Sequence, residues 1–339
     1  MFTRAVRRYG EMKSVSISEV CRLLGTSRQR YYRGVWGERR SRRRATEAVA
    51  LVQSVRKEMP RIGGRKLHHM LGRELGGIGV GRDRLFDILR ANHMLVLPKR
   101  SYRTTTNSRH RFRKYKNLIA GMPVTRPEQV WVSDITYIAN RAGHMYLALV
   151  TDAYSKKIVG YDLSENLGAE SAVRAMKMAH ANRRYPEEKL IHHSDRGIQY
   201  CSDVYQKLLR RYRITPSMTE SYDPYANAVA ERVNGILKQE FLLEELNLPF
   251  GLMKKAIKET IDIYNNKRPH SSCSYNTPEW THGQKNLQIK TYAKRRGCVK
   301  SPVLAHPYFS CDDVLWLLEM FVVIISVSCL FVRPRYGSQ

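Results

Sequence analysis

Three acidic residues stand where chemistry could be done. Asp134 falls inside the largely apolar run Trp131-Val-Ser-Asp-Ile-Thr-Tyr137. Asp195 ends a second run, in His192-His-Ser-Asp-Arg-Gly-Ile-Gln-Tyr200, where Gly197 turns the chain. Glu231 lies in a helical pattern. A charge within a strand is costly unless something compensates it. Three carboxylates brought together repel, and their convergence makes physical sense if divalent cations bind between them. All-oxygen ligands select Mg²⁺ or Mn²⁺ over zinc. Two such ions held ~3.5–4 Å apart can activate an attacking oxygen and stabilise a leaving oxygen at a phosphodiester. The plain alternative is that each acid is an isolated surface or ion-paired residue.

Bringing these acids together takes a sheet and a helix. Residues 130–139, 144–155 and 157–164 read as three successive strands, broken at 140–143 and 154–156. A helix over 169–184, a strand over 189–194, a helix over 202–213, a strand over 214–218 and a long helix over 226–247 follow. This order predicts an α/β fold over residues 125–283, a mixed five-stranded sheet with flanking helices. The first and fourth strands meet near its middle, which joins Asp134 to Asp195. On the long helix Asn227, Glu231, Asn234 and Lys238 share one face, and Val229, Val233, Ile236 and Leu237 mark the buried one. Asp152 is also on a strand and could be mistaken for a ligand. His193 alternates onto the face of Asp195, where it either orients a ligand or DNA or packs in the core.

The chain of 339 residues carries a formal net charge of +29, and residues 1–117 hold 30 Lys and Arg against 8 Asp and Glu. Basicity concentrated in this way points to nucleic acid as the partner, ahead of an acidic membrane surface. Ser16 to Arg33 reads as a helix, a turn at Gly25 and a second helix. Ser16 or Ser18 and Thr26 or Ser27 are the candidate caps, and Val20, Leu23 and Leu24 the first helix's apolar face. The second helix carries Arg28, Arg30, Tyr31, Tyr32 and Arg33. This is helix-turn-helix spacing, although a purely structural hairpin has the same signature. Arg39–Arg44, with Arg42, Arg43 and Arg44, reads as a linker along the DNA backbone or a solvated hinge. Residues 1–60 thus form an all-α helix-turn-helix region with an Arg-rich linker. A second helical pattern starts at about Ala45, with helices near 45–59, 64–75 and 80–92, and residues 61–117 form the second helical DNA-binding unit with an extended basic tether. Six cysteines without close pairs imply neither a zinc module nor a disulfide frame, so reduced thiols and a cytoplasmic location are expected. No apolar segment follows Arg4, Arg7 and Arg8, so the start does not read as a signal peptide.

At the acids the sequence closely resembles the orfB-type transposases of bacterial insertion sequences, which have a retroviral-integrase catalytic core. Asp195 and Glu231 have 35 residues between them, that family's hallmark interval, and Asp134 and Asp195 have 60. Lys238 sits seven after Glu231, where the family places a basic residue. Trp131, Thr136-Tyr137, Ser194, Gly197, Gln199-Tyr200 and Asn227-Ala228 resemble the flanking text. Tyr264-Asn265, Arg268-Pro269-His270 and Thr277-Pro278-Glu279 resemble the C-terminal signature. The likeness spans roughly residues 15–282. It implies a ribonuclease-H-like core that nicks DNA at element ends and then transfers strands by direct attack of a 3′-hydroxyl. Asp134, Asp195 and Glu231 would hold the metal, two Mg²⁺ or Mn²⁺ ions, while Asn227 and Lys238 contact DNA. Residues 215–225 would form a mobile flap. The resemblance also implies a homo-oligomer on DNA and an upstream-frame partner protein. A catalytically inactive relic or repressor occupying element ends is the alternative.

Residues 284–339 read as an atypical extension in which 314–332 are apolar apart from Glu319, Ser326 and Ser328. Length alone permits a membrane span, but Glu319 near its middle weakens that reading. An extension gained by loss of the usual stop, a packed C-terminal helix and a membrane contact are the three readings, with a membrane partner the least expected.

Overall fold

The computed structural model of the chain describes residues 2–97, 114–140, 143–219, 228–285 and 287. The front is helical: α1 (Phe2–Lys13), α2 (Ile17–Leu23), α3 (Arg28–Arg56), α4 (Gly64–Met70), α5 (Gly72–Gly77) and α6 (Arg82–Ala91). Ser16 caps α2 by accepting a hydrogen bond from the Glu19 N–H, and Ser27 caps α3 through the Arg30 N–H. Gly25 takes φ +60° in the turn between them, a conformation that glycine adopts without steric cost. The buried face of α2 differs from expectation. Leu23 and Leu24 are 64% and 55% exposed, whereas Val20 and Cys21 pack with Val6 of α1 and with Tyr31 and Val35 of α3. Helix α1, unassigned from sequence, supplies the wall that turns α2 this way. Tyr31 is therefore core, not part of an outward donor set.

The Arg39–Arg44 run, expected as a linker, lies inside α3, which continues unbroken from Arg28 to Arg56. Arginine is a good helix former and no proline interrupts the stretch. Arg43 also pairs with Glu47 one turn on, at 2.8 Å. The basic tether lies largely outside the described residues. So do residues 288–339 with the apolar stretch; among the described residues no helix is long and apolar enough to cross a membrane.

The body is the ribonuclease-H-like arrangement that the resemblance implied. Strands β1 (Val130–Asn140), β2 (Gly143–Asp152) and β3 (Ile158–Ser164) form an antiparallel meander. Helix α7 (Ala169–Ala181) leads to β4 (Ile191–Ser194), which pairs parallel with β1. Helices α8 (Ile198–Cys201) and α9 (Asp203–Arg211) lead to β5 (Thr215–Met218), parallel with β4. The strand order is β3-β2-β1-β4-β5. Pro216 is tolerated because β5 is an edge strand. Helices α10 (Ala228–Gln239), α11 (Phe250–Asn266) and α12 (Pro278–His282) complete the body, with a 3₁₀ turn at Ser271–Cys273.

Alternate residues of each strand face opposite layers. Ala148 and Val150 of β2 join Ala172, Ala175 and Ala179 of α7 and Tyr205 and Leu209 of α9 in one core. Leu147 and Leu149 join Val233 and Leu237 of α10 and Ile257 and Ile261 of α11 in another. That second core also contains Leu67, Leu75, Leu85 and Leu89, so the helical front and the sheet share one apolar cluster. An ion-paired node lies beside it. Glu240, just past α10, accepts from Lys66 Nζ at 2.9 Å and from buried Arg268 Nη2 at 2.8 Å. Beside this node α10 ends at Gln239, short of the expected 247, and Leu242 then turns the chain at φ +62°.

The signature residues after α10 are fasteners. Tyr264 Oη donates to the Lys156 carbonyl at 2.8 Å. The Asn265 amide spans Ile158, accepting from its N–H and donating to its C=O at 3.0 Å each. Thr277 caps α12. Helix α12 delivers His282 to a buried network in which its Nε2 lies 3.4 Å from Glu128 and Ser155 Oγ lies 3.0 Å from its Nδ1. Asp152 belongs to the same network. It accepts from the Glu128 and Ser155 N–H groups at 2.7 Å each and from Ser155 Oγ at 2.8 Å.

Two stability predictions follow from this packing. Gly160 of β3 lies against α7, where a Cβ would meet the Ala175 carbonyl and stand 2.8 Å from the Ala179 Cβ. Gly160→Ala should destabilise the chain by about 2–3 kcal/mol, read by denaturant titration. Burial alone would lower the His282 pKa, but Asp152 and Glu128 outweigh it and raise it to about 8. Burial alone would raise that of Glu128, but bonds from His282, the Arg184 and Tyr185 N–H groups and Arg183 bring it down to about 2. The histidine's contribution is complete below its unfolded pKa and disappears as pH rises through 8. The glutamate's is present above its unfolded pKa and disappears as pH falls toward 2. His282→Gln should therefore lose most at about pH 6, with the deficit shrinking by about 2 kcal/mol above pH 8.

Candidate active site

Asp134 sits in β1 at the centre of the sheet, between β2 and β4. The parallel register pairs Ser133 with Ser194, so Asp134 and Asp195 are the next residues along two adjacent strands. Val130 and Val132, which alternate onto the same face as Asp134, pack with Ala230 of α10. The Asp134 carboxylate is held at both oxygens. Oδ1 accepts from the Ile135 N–H at 2.9 Å and Oδ2 from Asn234 Nδ2 at 2.7 Å. Burial first, and then the charge of Asp195 with a smaller push from Glu231, raises its pKa to about 7.

Asp195 follows directly on β4, and its Oδ1 accepts from the Gly197 N–H at 3.0 Å. A Cβ on Gly197 would stand 3.0 Å from that same oxygen, so glycine leaves the carboxylate its place. The two histidines before it are buried and bind the sheet together. His192 Nε2 lies 2.8 Å from Ser133 Oγ and 3.0 Å from Tyr205 Oη. Its pKa is lowered to about 3, chiefly by burial. His193 Nδ1 lies 2.9 Å from Ser217 Oγ on β5. Of the two readings of His193, the structure gives the core one.

Glu231 is exposed on α10, yet desolvation by the surrounding protein raises its pKa. The stripe that it heads is not uniformly outward. Asn234, one turn on, is buried, and its Oδ1 has no hydrogen-bond partner among the described residues. Lys238 pairs with Glu244 at 2.9 Å. Asn227 lies outside the described residues, as does most of the expected flap; residues 215–218 of that segment are β5 itself. The role of Asn234 escaped sequence reasoning. Its place three residues after Glu231 on one helical face was the available signal.

Among the described residues no group of three or more His, Cys, Asp or Glu side chains is gathered closely enough to hold a metal ion. The donors nonetheless fit a hard cation. They are carboxylate oxygens, two of them from neighbouring parallel strands, with the Asp134 pKa raised first by burial and then by the charges beside it, and an amide oxygen left over at Asn234.

The basic residues expected at DNA lie along α3. Arg28, Arg30 and Arg33 are exposed in its first turns, and Arg42, Arg43 and Arg44 are exposed further along.

Two family models, each described as an integrase core domain, match residues 124–224 and 212–278. A 31 kDa protein of insertion element IS600 from Shigella sonnei is 36% identical over 256 residues, covering 74% of this chain and 93% of its own. Transposase InsF for insertion sequence IS3A of Escherichia coli (strain K12) is 30% identical over 273 residues, covering 78% of this chain and 93% of its own. Among solved structures, the HTLV-2 integrase catalytic core domain in complex with magnesium is 21% identical. It covers 46% of this chain and 97% of that one, with a TM-score of 0.38. A simian T-cell lymphotropic virus intasome structure is 20% identical and covers 70% of this chain and 81% of that one, with a TM-score of 0.42. The chain therefore belongs to the IS3 family of insertion-sequence transposases, of the InsF (orfB) type, with an integrase core domain.

Proposed function

We propose that this transposase is an active metal-dependent DNA recombinase that nicks its element's ends and joins them to target DNA by direct phosphodiester attack. One observation carries the reading. Asp134, fixed in mid-sheet beside Asp195 and held by Asn234 one turn from Glu231, has a carboxyl raised to about 7 by burial and by those two acids. Such a concentration of negative charge is stabilised by a cation. Asp134, Asp195 and Glu231 would hold Mg²⁺ or Mn²⁺, as two ions. When bound, such ions polarise the scissile phosphate and lower the pKa of the attacking hydroxyl.

In this scheme the chain's own groups bind and orient. Asn234 and the Ile135 N–H fix the Asp134 carboxylate, and the Gly197 N–H fixes Asp195. Water or a 3′-hydroxyl is the nucleophile, so no protein–DNA bond forms. Lys238 and Asn227 contact DNA near the scissile phosphate. Arg28, Arg30, Arg33, Arg42, Arg43 and Arg44 hold the backbone of the element end. The helical front, residues 1–117 with its basic tether, captures DNA for the core over 125–283. Synapsis of two ends calls for a homo-oligomer, with an upstream-frame protein as a further partner. The site of action is the nucleoid in the cytoplasm.

The test is an end-containing supercoiled DNA incubated with Mg²⁺ and scored for nicking and joining. Asp134→Ala, Asp195→Ala and Glu231→Ala should each cut the rate by roughly 10³-fold or more while sparing DNA binding. Retained activity in all three would sink the metal assignment. Asn234→Ala should cost about 10–100-fold, because it frees one oxygen of a ligating carboxylate, again with binding intact. A wild-type chain that binds ends but never nicks them would favour the second reading, an idle occupant of element ends. The lack of a ready-gathered carboxylate trio among the described residues speaks for that reading.

A further inference from the structure

The seam between α3 and α6 opens into a cleft of about 220 Å³. Three guanidinium groups line it, Arg40 and Arg44 from α3 and Arg84 from α6, and its lining contains no carboxylate. Arg40, Ser41 and Arg44 recur at +1 and +4, one face of a helix. Arg84 donates to Ser41 Oγ across the seam. Gly79, at φ +69°, completes the floor, and a Cβ there would stand 3.0 Å from Arg44 Nη2, so glycine leaves the guanidinium its room.

This is an unusual use of a helix–helix seam. Further along, the same two helices pack Ala48 and Val52 with Leu85, Ile88 and Leu89 in the ordinary apolar way. Nearby arginines are neutralised locally: Arg43 by Glu47, Arg82 by Asp83 and Arg90 by Asp87. In the cleft three like charges from two helices converge, and its lining holds no acid. Three exposed guanidinium groups around one cleft, with no acid in its lining, make a concave positive site that suits an anion. Guanidinium forks match the oxygens of a phosphate, and Arg84 is already oriented by Ser41.

We propose that this cleft is a clamp for one backbone phosphate of duplex DNA, with Arg40, Arg44 and Arg84 as its ligands. The inference rests on the DNA-recombinase reading and deepens it, because it names a phosphate site far in sequence from the acids. It also adds Arg40 and Arg84 to the contact set. Since the ligands come from two helices, the bound strand tightens the packing of α3 on α6.

The experiment measures binding of the full chain to a labelled random-sequence duplex as KCl is varied. Arg40→Gln and Arg84→Gln should each weaken binding by about tenfold at fixed salt. Each should also lower the slope of log K against log[KCl] by about one. Arg84→Lys should recover the slope but not the full affinity, since the charge returns without the fork. Arg174→Gln, on α7, is the control and should match wild type. Far-UV circular dichroism confirms that each variant is folded. If wild type binds steeply with salt and the cleft variants behave like the control, the clamp is wrong and the recombinase reading stands. If wild type does not bind the duplex at all, that reading falls too.

Discussion

A carboxylate pinned in the middle of a sheet, next to a second one on the adjoining strand, is the constraint from which the rest of the body follows. Asp134 cannot swing away from Asp195, because β1 is paired on both edges and α10 lies over it. The repulsion is therefore built in and has to be held by stiffness. His192 and Ser133 join β4 to β1, His193 and Ser217 join β4 to β5, and apolar cores close both faces. Burial lowers the His192 pKa, so this strand-joining imidazole stays neutral and adds no positive charge beside the two acids. Rigidity here is preorganisation: the cost of crowding the acids is met by folding rather than at the moment a ligand arrives.

The helical front is attached to this rigid body in a way that couples them. Leu67, Leu75, Leu85 and Leu89 share a core with α10 and α11, and Glu240 joins Lys66 to Arg268 at the end of α10. A buried ion triad of this kind contributes little net stability, but breaking it leaves an uncompensated charge. It therefore acts mainly on geometry. It sits where α10 stops, and α10 carries Glu231 and Asn234. The continuous α3 carries the basic face from the first helical unit to the second without a hinge.

Much of this was legible in the residue pattern, and the failures have physical causes. The three-strand meander, the meeting of the first and fourth strands that brings Asp134 beside Asp195, and a short list of caps (Ser16 or Ser18, Thr26 or Ser27, of which Ser16 and Ser27 do the capping) followed from local chemistry: alternation, turn residues and hydroxyl caps. Misread were features set by a partner at long range. Leu23 and Leu24 look like core until α1 fills that side. Arg39–Arg44 looks like a hinge if charge is taken as a sign of disorder, although arginine is at home in an exposed helix. The run from 226 to 247 keeps helical periodicity, but the chain leaves the helix after Gln239, where Glu240 pairs with Lys66 and Arg268 and Leu242 takes a left-handed turn. Asn234 looked like one more polar position, because its bond to Asp134 joins residues a hundred apart.

Sorting the charges by how the protein satisfies them separates structure from function. Glu128 and Asp152 are buried and Glu240 is largely covered, all three are engaged by N–H groups, guanidinium or ammonium partners, and they hold the fold. Exposed pairs such as Arg90 with Asp87 are worth about 0–1 kcal/mol each and decide little. Lys238 with Glu244 lies between these classes, a partly exposed pair. The remaining class consists of charges crowded with their own kind: the acids around Asp134 and the guanidinium groups of Arg40, Arg44 and Arg84. Such crowding is relieved when an opposite charge binds. The two crowded places have opposite sign, and those are the signs that a cation and a phosphate backbone would each relieve.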